Sequence, residues 1–108
     1  MTTYHKDLKG TWASYSIFSQ MANIGADVGR AMNWKKKGNS LHSQNAFYRA
    51  LELIDLSVED KRNYNRLGEL LRMREMLVDY IMGNNMYRST ESLWNSYFLR
   101  YAVAARNK

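Results

Sequence analysis

The sequence predicts an all-α protein, and three observations lead to that class. Its 108 residues include no Pro and only six Gly, so little in the composition opposes helix formation. Apolar residues recur at helical spacing through long segments, whereas no segment alternates with the period of two that marks a strand. Three short breaks separate four such segments. We therefore expect an up-down bundle of four antiparallel helices.

The first predicted helix spans residues 11–35, and residues 1–10 are assigned to a flexible N-terminal arm. Residues 11–108 then form a single domain, since a chain of this length buries one core without metal or disulfide help. One face of the helix carries Ile17, Met21, Ile24, Val28 and Met32. Gly25 and Gly29 lie inside the helix, where each costs about 1 kcal/mol against Ala, so they predict the close approach of another backbone.

The second predicted helix spans residues 41–56, after a break at Gly38. Glycine suits the left-handed position that ends a helix, and Asn39 or Ser40 is suited to cap the next one. Its inner face is Ala46, Phe47, Ala50, Leu51 and Ile54. Ser57 or Asp60 is then available as the N-cap of the third helix.

The third predicted helix, residues 61–83, is apolar around more than half of its circumference. Its main stripe is Leu67, Leu70, Leu71, Leu77, Val78 and Ile81. Met73, Met76 and Tyr80 widen that stripe beyond the ~100° that an ordinary surface helix shows. The excess predicts the buried centre of the molecule, with neighbours on two sides.

The fourth predicted helix spans residues 91–106, after a glycine stop at Gly83 and an N-cap at Ser89 or Thr90. Its inner face is Leu93, Trp94, Tyr97, Phe98, Tyr101, Ala104 and Ala105. Leu99 and Val103 lie on the opposite side as a small apolar patch. The patch is either ordinary exposed surface or a subunit contact, and the second alternative predicts a homodimer.

Arg74 is the strongest candidate for a functional residue, because it lies within the main apolar stripe. A buried guanidinium needs a partner, and its planar donors suit a phosphate or a carboxylate. We therefore predict a ligand-binding cleft at this residue. Its rim would include Asn84, Tyr87 and Arg88. The alternative is an internal ion pair with Asp27, Asp55 or Glu91.

Composition excludes several classes of site. With no Cys, the chain has no disulfide, thiol nucleophile or Cys-ligated zinc. His5 and His42 have no carboxylate three or four residues later, and the common phosphate-binding, dinucleotide-binding and metalloprotease motifs are absent. We expect no metal and no cofactor.

The charge and the apolar runs of the chain bear on its partners and location. A net charge of +6 favours a polyanion such as RNA, although the basic residues are dispersed except at Lys35, Lys36 and Lys37. No run reaches the ~18 apolar residues of a membrane span, and the N-terminus lacks the apolar core of a signal peptide. We expect a cytoplasmic protein without membrane contact.

Residues 74–80, R-E-M-L-V-D-Y, resemble the R-N-x-x-x-H segment of the HEPN superfamily. Arg74 takes the arginine position, Glu75 the polar position and Asp79 the histidine position. The resemblance implies a small helical bundle, often dimeric, whose relatives either pair with minimal nucleotidyltransferases or cleave RNA without metal in a cleft between subunits. Aspartate is an anion near neutral pH and would repel a phosphate.

Three functions follow from this resemblance and its departure at Asp79. The first is a non-catalytic binding or interaction module. The second is a metal-independent RNase that uses Arg74 with Asp79, Tyr80 or His42. The third is a structural partner of a nucleotidyltransferase or another protein, bound through Leu99 and Val103. A second resemblance, to the tetratricopeptide pattern at Trp34, Gly38, Asn39 and Ala50, lacks the roughly three copies that such a fold needs.

Overall fold

The computed structural model describes residues 9–107, which form five α-helices and one 3₁₀ helix, with no strand among them. The helices are α1 Lys9–Trp12, α2 Ile17–Lys36, α3 Ser40–Glu59, the 3₁₀ helix Lys61–Arg66, α4 Leu67–Ile81 and α5 Glu91–Arg106. The all-α prediction is confirmed, and α2 to α5 correspond to the four predicted segments. No helix within these residues is both long enough and apolar enough to cross a bilayer.

The first predicted helix is interrupted near its start. The Ser14 hydroxyl donates to the Thr11 carbonyl at 2.6 Å. The Ser16 hydroxyl accepts from the Ser19 amide at 3.2 Å and is the N-cap of α2. Short polar side chains compete in this way with helical backbone bonds. The continuous helix from residue 11 is therefore wrong, and α1 crosses the arm boundary at residue 10. The rest of the arm, residues 1–8, lies outside the described residues.

A buried polar cluster attaches α1 to the other helices. Trp12 Nε1 donates to Ser57 Oγ at 3.1 Å, and Gln20 Nε2 donates to the Trp12 carbonyl at 3.1 Å and to Asp60 Oδ2 at 3.0 Å. Asn63 Nδ2 donates to Gln20 Oε1 and to the Ser57 carbonyl, both at 2.9 Å. Polar groups tolerate burial when they are bonded in this way. The cluster joins α1, α2, α3 and the 3₁₀ helix.

The third predicted helix is also divided, because its first residues form the 3₁₀ helix. Asp60 is the cap, as one of the two predicted alternatives, and accepts from the Arg62 amide at 3.0 Å. The Asn63 amide donates to the Asp60 carbonyl at 2.9 Å, the i+3 bond of a 3₁₀ turn. This tighter turn also places the Asn63 side chain in the buried cluster. The α-helix begins only at Leu67.

α2, and not the third predicted helix, is the centre of the molecule. It packs closely along both α3 and α5, whereas α4 packs closely on α3. At Gly25, a Cβ atom would lie 2.7 Å from Phe98 Cβ, so the predicted close approach of α5 is confirmed there. At Gly29 the same prediction is wrong, because an added Cβ would have no neighbour within 4 Å.

α4 is buried along a narrower stripe than the sequence predicts. Its buried residues are Leu70, Met73, Leu77 and Ile81. The series i, i+3, i+7, i+11 is typical of a helix that packs on one neighbour. Leu71, placed inside by the prediction, is exposed. In the described part of the chain, no helix packs closely on the flank with Met76, because the backbones of α4 and α5 stay apart along almost their whole lengths.

The breaks between helices agree with the prediction at both N-caps and at Gly38, and they differ from it in the conformation of Gly83. The Asn39 side chain caps α3 by accepting from the His42 amide, and the Thr90 side chain caps α5 by accepting from the Leu93 amide. Gly38 has a φ of +78°, as its left-handed position requires. In the last break, positive φ occurs at Asn85 and Arg88, at 53° and 56°, and not at Gly83. The break predicted at Gly83 is therefore confirmed, because α4 ends at Ile81, but Gly83 itself does not adopt a left-handed conformation.

Candidate functional site

Arg74 forms an ion pair with Asp55 that joins α4 to α3. Arg74 Nε donates to Asp55 Oδ1 at 2.9 Å, and Nη2 donates to Oδ2 at 3.4 Å. The Arg74 side chain is 38% exposed, because it lies at the edge of the narrow buried stripe rather than within it. The predicted burial of Arg74 is wrong, and the internal ion pair with Asp55 is confirmed. This pair does not favour a ligand at the guanidinium.

The other residues named for RNase chemistry each have a separate structural contact. The Asp79 carboxylate accepts from the backbone amides of Met86 and Tyr87 at 2.8 Å and 3.0 Å. His42 packs edge-on against Trp34, with ring centroids 4.6 Å apart. RNase activity through Arg74 and Asp79 stays a prediction that these contacts do not favour.

A cleft of about 500 Å³ at the C-terminus of α2 includes Tyr80 and Asn84 among its lining residues. Two lysines dominate its charge, but both are engaged. Lys35 Nζ donates to the carbonyls of Tyr80 and Ile81 at 3.3 Å and 3.1 Å, at the end of α4. Lys36 Nζ lies 3.1 Å from a Glu91 oxygen at the start of α5. We therefore interpret this cleft as a junction of helix ends.

A second concave surface lies between α4 and α5, and we call it the α4–α5 groove. Its volume is about 360 Å³. It is lined by Gly68, Glu69, Arg72, Met73, Met76, Leu93, Trp94 and Tyr97. The groove exists because these two helices are held apart while each packs on another helix. Arg74, Asn84 and Arg88 do not line it.

The walls of the groove are mainly apolar and aromatic. Met73 and Trp94 are buried beneath it, and Leu93 is 46% exposed at its edge. Met76 and Tyr97 are partly buried between them. Methionine is unbranched and adapts to different shapes, and tryptophan and tyrosine provide large contact areas at little conformational entropy. Such a surface is suited to binding an apolar group.

A hydrogen-bonded carboxylate lies at one end of the groove. Tyr97 and Tyr101 both donate to the same oxygen of Glu69, each at 2.6 Å. Burial works to raise the pKa of Glu69, but the two hydroxyls and the guanidinium groups of Arg66 and Arg100 outweigh it and lower that pKa. Burial and the bond to Glu69 raise the pKa of both tyrosines. The hydroxyls therefore remain protonated donors at neutral pH.

The α4–α5 loop lies over the outer face of α4 and presents two apolar residues to solvent. Met86 is 82% exposed, and Tyr87 is also exposed. The backbone amides of both residues donate to the Asp79 carboxylate, as described above. The Glu75 carboxylate, together with the nearby Asp79, raises the pKa of Tyr87, while Arg72 acts in the opposite direction. Tyr87 is therefore close to Glu75 and Arg72, and Arg72 also lines the groove.

The loop owes its fixed shape to Asn85. The Asn85 side chain accepts from the Ser89 amide at 2.8 Å and donates to the Ser89 carbonyl at 3.0 Å. Asparagine also tolerates the positive φ found at this position. The loop is therefore held by side chains of its own sequence and of α4.

No family model, curated protein or solved structure matches this chain. Within residues 9–107, no three side chains of the types that ligate metals come together as a site. The groove and its surroundings are therefore the features of this molecule that indicate a function.

The sequence does not predict the groove, although it shows the apolar residues that line it. The surplus of apolar positions on the third predicted helix was interpreted as core, and Leu93, Trp94 and Tyr97 were assigned to the inner face of the last helix. In the structure Met73 and Met76 face the second set across the groove, whereas Tyr80 lines the cleft at the end of α2. Leu99, by comparison, is 58% exposed on the opposite side of α5, so a homodimer at Leu99 and Val103 stays a prediction.

Proposed function

We propose that this protein is a non-catalytic interaction module that binds an apolar segment of another protein in the α4–α5 groove. The observation that carries the proposal is the open, apolar space between two helices whose facing side chains include Met76, Leu93 and Trp94. Exposed apolar surface with a polar surround commonly marks a binding site. Aromatic residues and methionine are enriched at the centres of protein interfaces.

A protein segment suits the groove better than a small ligand because the apolar surface continues beyond the groove. Leu93 is half exposed at the edge, and Met86 and Tyr87 extend apolar surface onto the loop. A small molecule would leave these side chains in water, whereas a protein surface would cover them. Backbone amides of the loop already donate to the Asp79 and Asn85 side chains, so the loop would need little further ordering when a partner binds.

The resemblance to the HEPN superfamily belongs to this proposal at the level of fold and partner. We propose that α2 to α5 form a HEPN-like up-down bundle whose side between α4 and α5 is open. The support is the segment at residues 74–80 and the succession of four long helices. A nucleotidyltransferase is then a candidate partner. A cytoplasmic location is consistent with the absence of Cys.

Selection from a fully randomised displayed peptide library would test the proposed binding site. We expect enriched peptides to bind the protein and to lose at least about tenfold in affinity when Leu93 is changed to Asp, because a charge would be placed in the apolar contact. Leu99→Asp is the matched control, since Leu99 is similarly exposed on the same helix, about 120° away, and does not line the groove. Affinity would be measured by isothermal titration.

The proposal is wrong if no peptide is enriched, or if the enriched peptides bind the Leu93 and Leu99 variants equally well. Binding that is lost only with Leu99→Asp would instead place the recognition surface on the side of α5 that carries Leu99. Both variants keep the buried residues of α5, Trp94 and Phe98, so both are expected to fold.

A further inference from the structure

We infer that the segment bound in the α4–α5 groove is an amphipathic α-helix with acidic residues beside its apolar stripe. This inference rests on the proposed function and specifies its partner. It follows from the shape of the groove, from the lack of free backbone hydrogen-bonding groups within its helical walls, and from the charged residues that line it.

The groove has the length and form of a helix-binding site. Its α4 wall runs from Gly68 to Met76, which is about 12 Å at 1.5 Å per residue. Slightly more than two turns of a docked helix would lie along it and would place side chains at i, i+3 or i+4, and i+7 against the wall. Gly68 leaves space at one end, since an added Cβ there would meet nothing within 4 Å.

The backbone chemistry of the walls favours a helix over an extended peptide. Both walls are α-helices, whose internal amides are already bonded, and the described residues include no strand whose edge could receive another strand. An extended peptide on such a surface would leave amides and carbonyls unpaired where they are shielded from water. A helix satisfies these groups internally and presents only side chains. A docked helix would also cover the apolar flank of α4 that no helix within residues 9–107 covers.

The charged residues that line the groove are Arg72 and Glu69, and Arg72 is the one available to a bound segment. Arg72 lines the groove, is exposed, and has no ion pair with a carboxylate within residues 9–107. Glu69 is the acidic group of the lining, but it accepts two tyrosine hydroxyls and lies near Arg66 and Arg100. The chain as a whole carries a net charge of +6. A helix with acidic residues beside its apolar stripe would complement Arg72 and would associate faster at low salt.

The test is a displayed library of amphipathic 14-residue helices with apolar residues at the inward positions and Glu or Lys, chosen at random, at the flanking positions. The purified protein, its Arg72→Glu variant and its Leu93→Asp variant would serve as separate baits. Arg106→Glu is the matched control, because it makes the same change in net charge about 13 Å beyond Tyr97 along α5. That separation exceeds the Debye length of ~8 Å at physiological salt.

We expect the protein and the Arg106→Glu control to enrich Glu over Lys at the flanking positions. The Arg72→Glu bait should lose or reverse that preference, and Leu93→Asp should enrich little. A selected acidic peptide should bind Arg72→Glu about tenfold more weakly in titrations. Proline at a solvent-facing position in its middle should weaken binding by at least about tenfold, because proline breaks a helix.

The outcomes separate the inference from the proposed function. Equal enrichment of Glu and Lys, or an equal effect of Arg72→Glu and Arg106→Glu, would overturn the acidic preference and leave the groove as the binding site. Peptides from the fully randomised library that tolerate the proline would overturn the helical conformation alone. If neither library yields peptides whose binding depends on Leu93, the proposed function itself is wrong.

Discussion

Two buried serines, Ser57 and Ser89, have different hydrogen-bonding environments. Ser57 Oγ accepts from Trp12 Nε1 within the polar cluster. Ser89 Oγ is buried beside the start of α5 and has no hydrogen-bond partner among the described residues. A buried hydroxyl without a partner is less stable than one that is bonded, and a bonded donor loses its partner when the serine is removed. The two positions should therefore respond differently to the same substitution.

We predict that Ser89→Ala leaves the free energy of unfolding unchanged or raises it by up to ~1 kcal/mol, because it removes an unpaired hydroxyl. Ser57→Ala should lower it by ~1–3 kcal/mol, because the Trp12 indole would be buried without an acceptor. Urea unfolding followed by tryptophan fluorescence would measure both changes. A loss for Ser89→Ala as large as that for Ser57→Ala would contradict the assignment.

At the scale of residues, the sequence predicted capping better than it predicted burial. Asn39 and Thr90 are each one of two predicted cap residues, because the signal is local: a short polar side chain before an apolar helical pattern. The position of Arg74 was not predicted correctly. Residues near the centre and the edge of a wide apolar stripe look alike on a helical wheel until the neighbouring helix is placed.

At the scale of elements, the contact between α2 and α5 depends on the absence of a side chain at Gly25. An added Cβ would lie 2.7 Å from both Cβ and Cγ of Phe98, closer than packed atoms approach. Gly29 is one turn further along α2, and its added Cβ would meet nothing within 4 Å. The two glycines share a helix and a residue type but differ in what surrounds them.

We predict that Gly25→Ala lowers the free energy of unfolding by ~1–3 kcal/mol, because α5 must shift or Phe98 must leave its rotamer. Gly29→Ala should raise it by ~0.5–1 kcal/mol, because alanine favours a helix and no clash opposes it. Thermal unfolding monitored by circular dichroism would measure both. Stabilisation by Gly25→Ala would show that α5 does not approach α2 as described.

The four long helices could be predicted from the sequence, but the arrangement that forms the groove could not. Helix existence follows from local periodicity, and the predicted ends of α3 and α5 lie within a few residues of those observed. The split at Ser16 follows from local serine bonds, whereas the 3₁₀ helix places Asn63 in the polar cluster with Gln20, 43 positions away along the chain. The distance between α4 and α5 is likewise set by packing on α3 and α2, which no single segment encodes.

At the scale of the whole molecule, two carboxylates link stability to acid pH. Arg62 and Gln20 hold the pKa of Asp60 well below its usual range, against the effect of partial burial. The pKa of Glu69 is also lowered, as described above. A group whose pKa is lower in the folded state stabilises the fold above its unfolded pKa and loses that contribution as pH falls. The protein should therefore lose stability below about pH 4 to 5.

We predict that the urea midpoint falls between pH 6 and pH 3, and that Asp60→Asn reduces this dependence, because an amide does not titrate. At pH 7 the variant should be less stable by about 1 kcal/mol, a modest loss because solvent screens the bond to Arg62. The measurement is urea unfolding at several pH values. An identical pH dependence in the variant and in the unmodified protein would exclude Asp60 as a source of the linkage.

The placement of α4 on a single neighbour also has a dynamic consequence. A helix with few close neighbours opens locally at a lower free energy than the whole fold, and α4 has α3 beside it while its last carbonyls are held by Lys35. When α4 detaches, Met73 and Met76 move with it. The width of the groove therefore changes with the motion of α4, the long helix that is held least firmly. A segment bound there would join α4 to α5 and slow amide hydrogen exchange along all of α4, including the face that it does not touch.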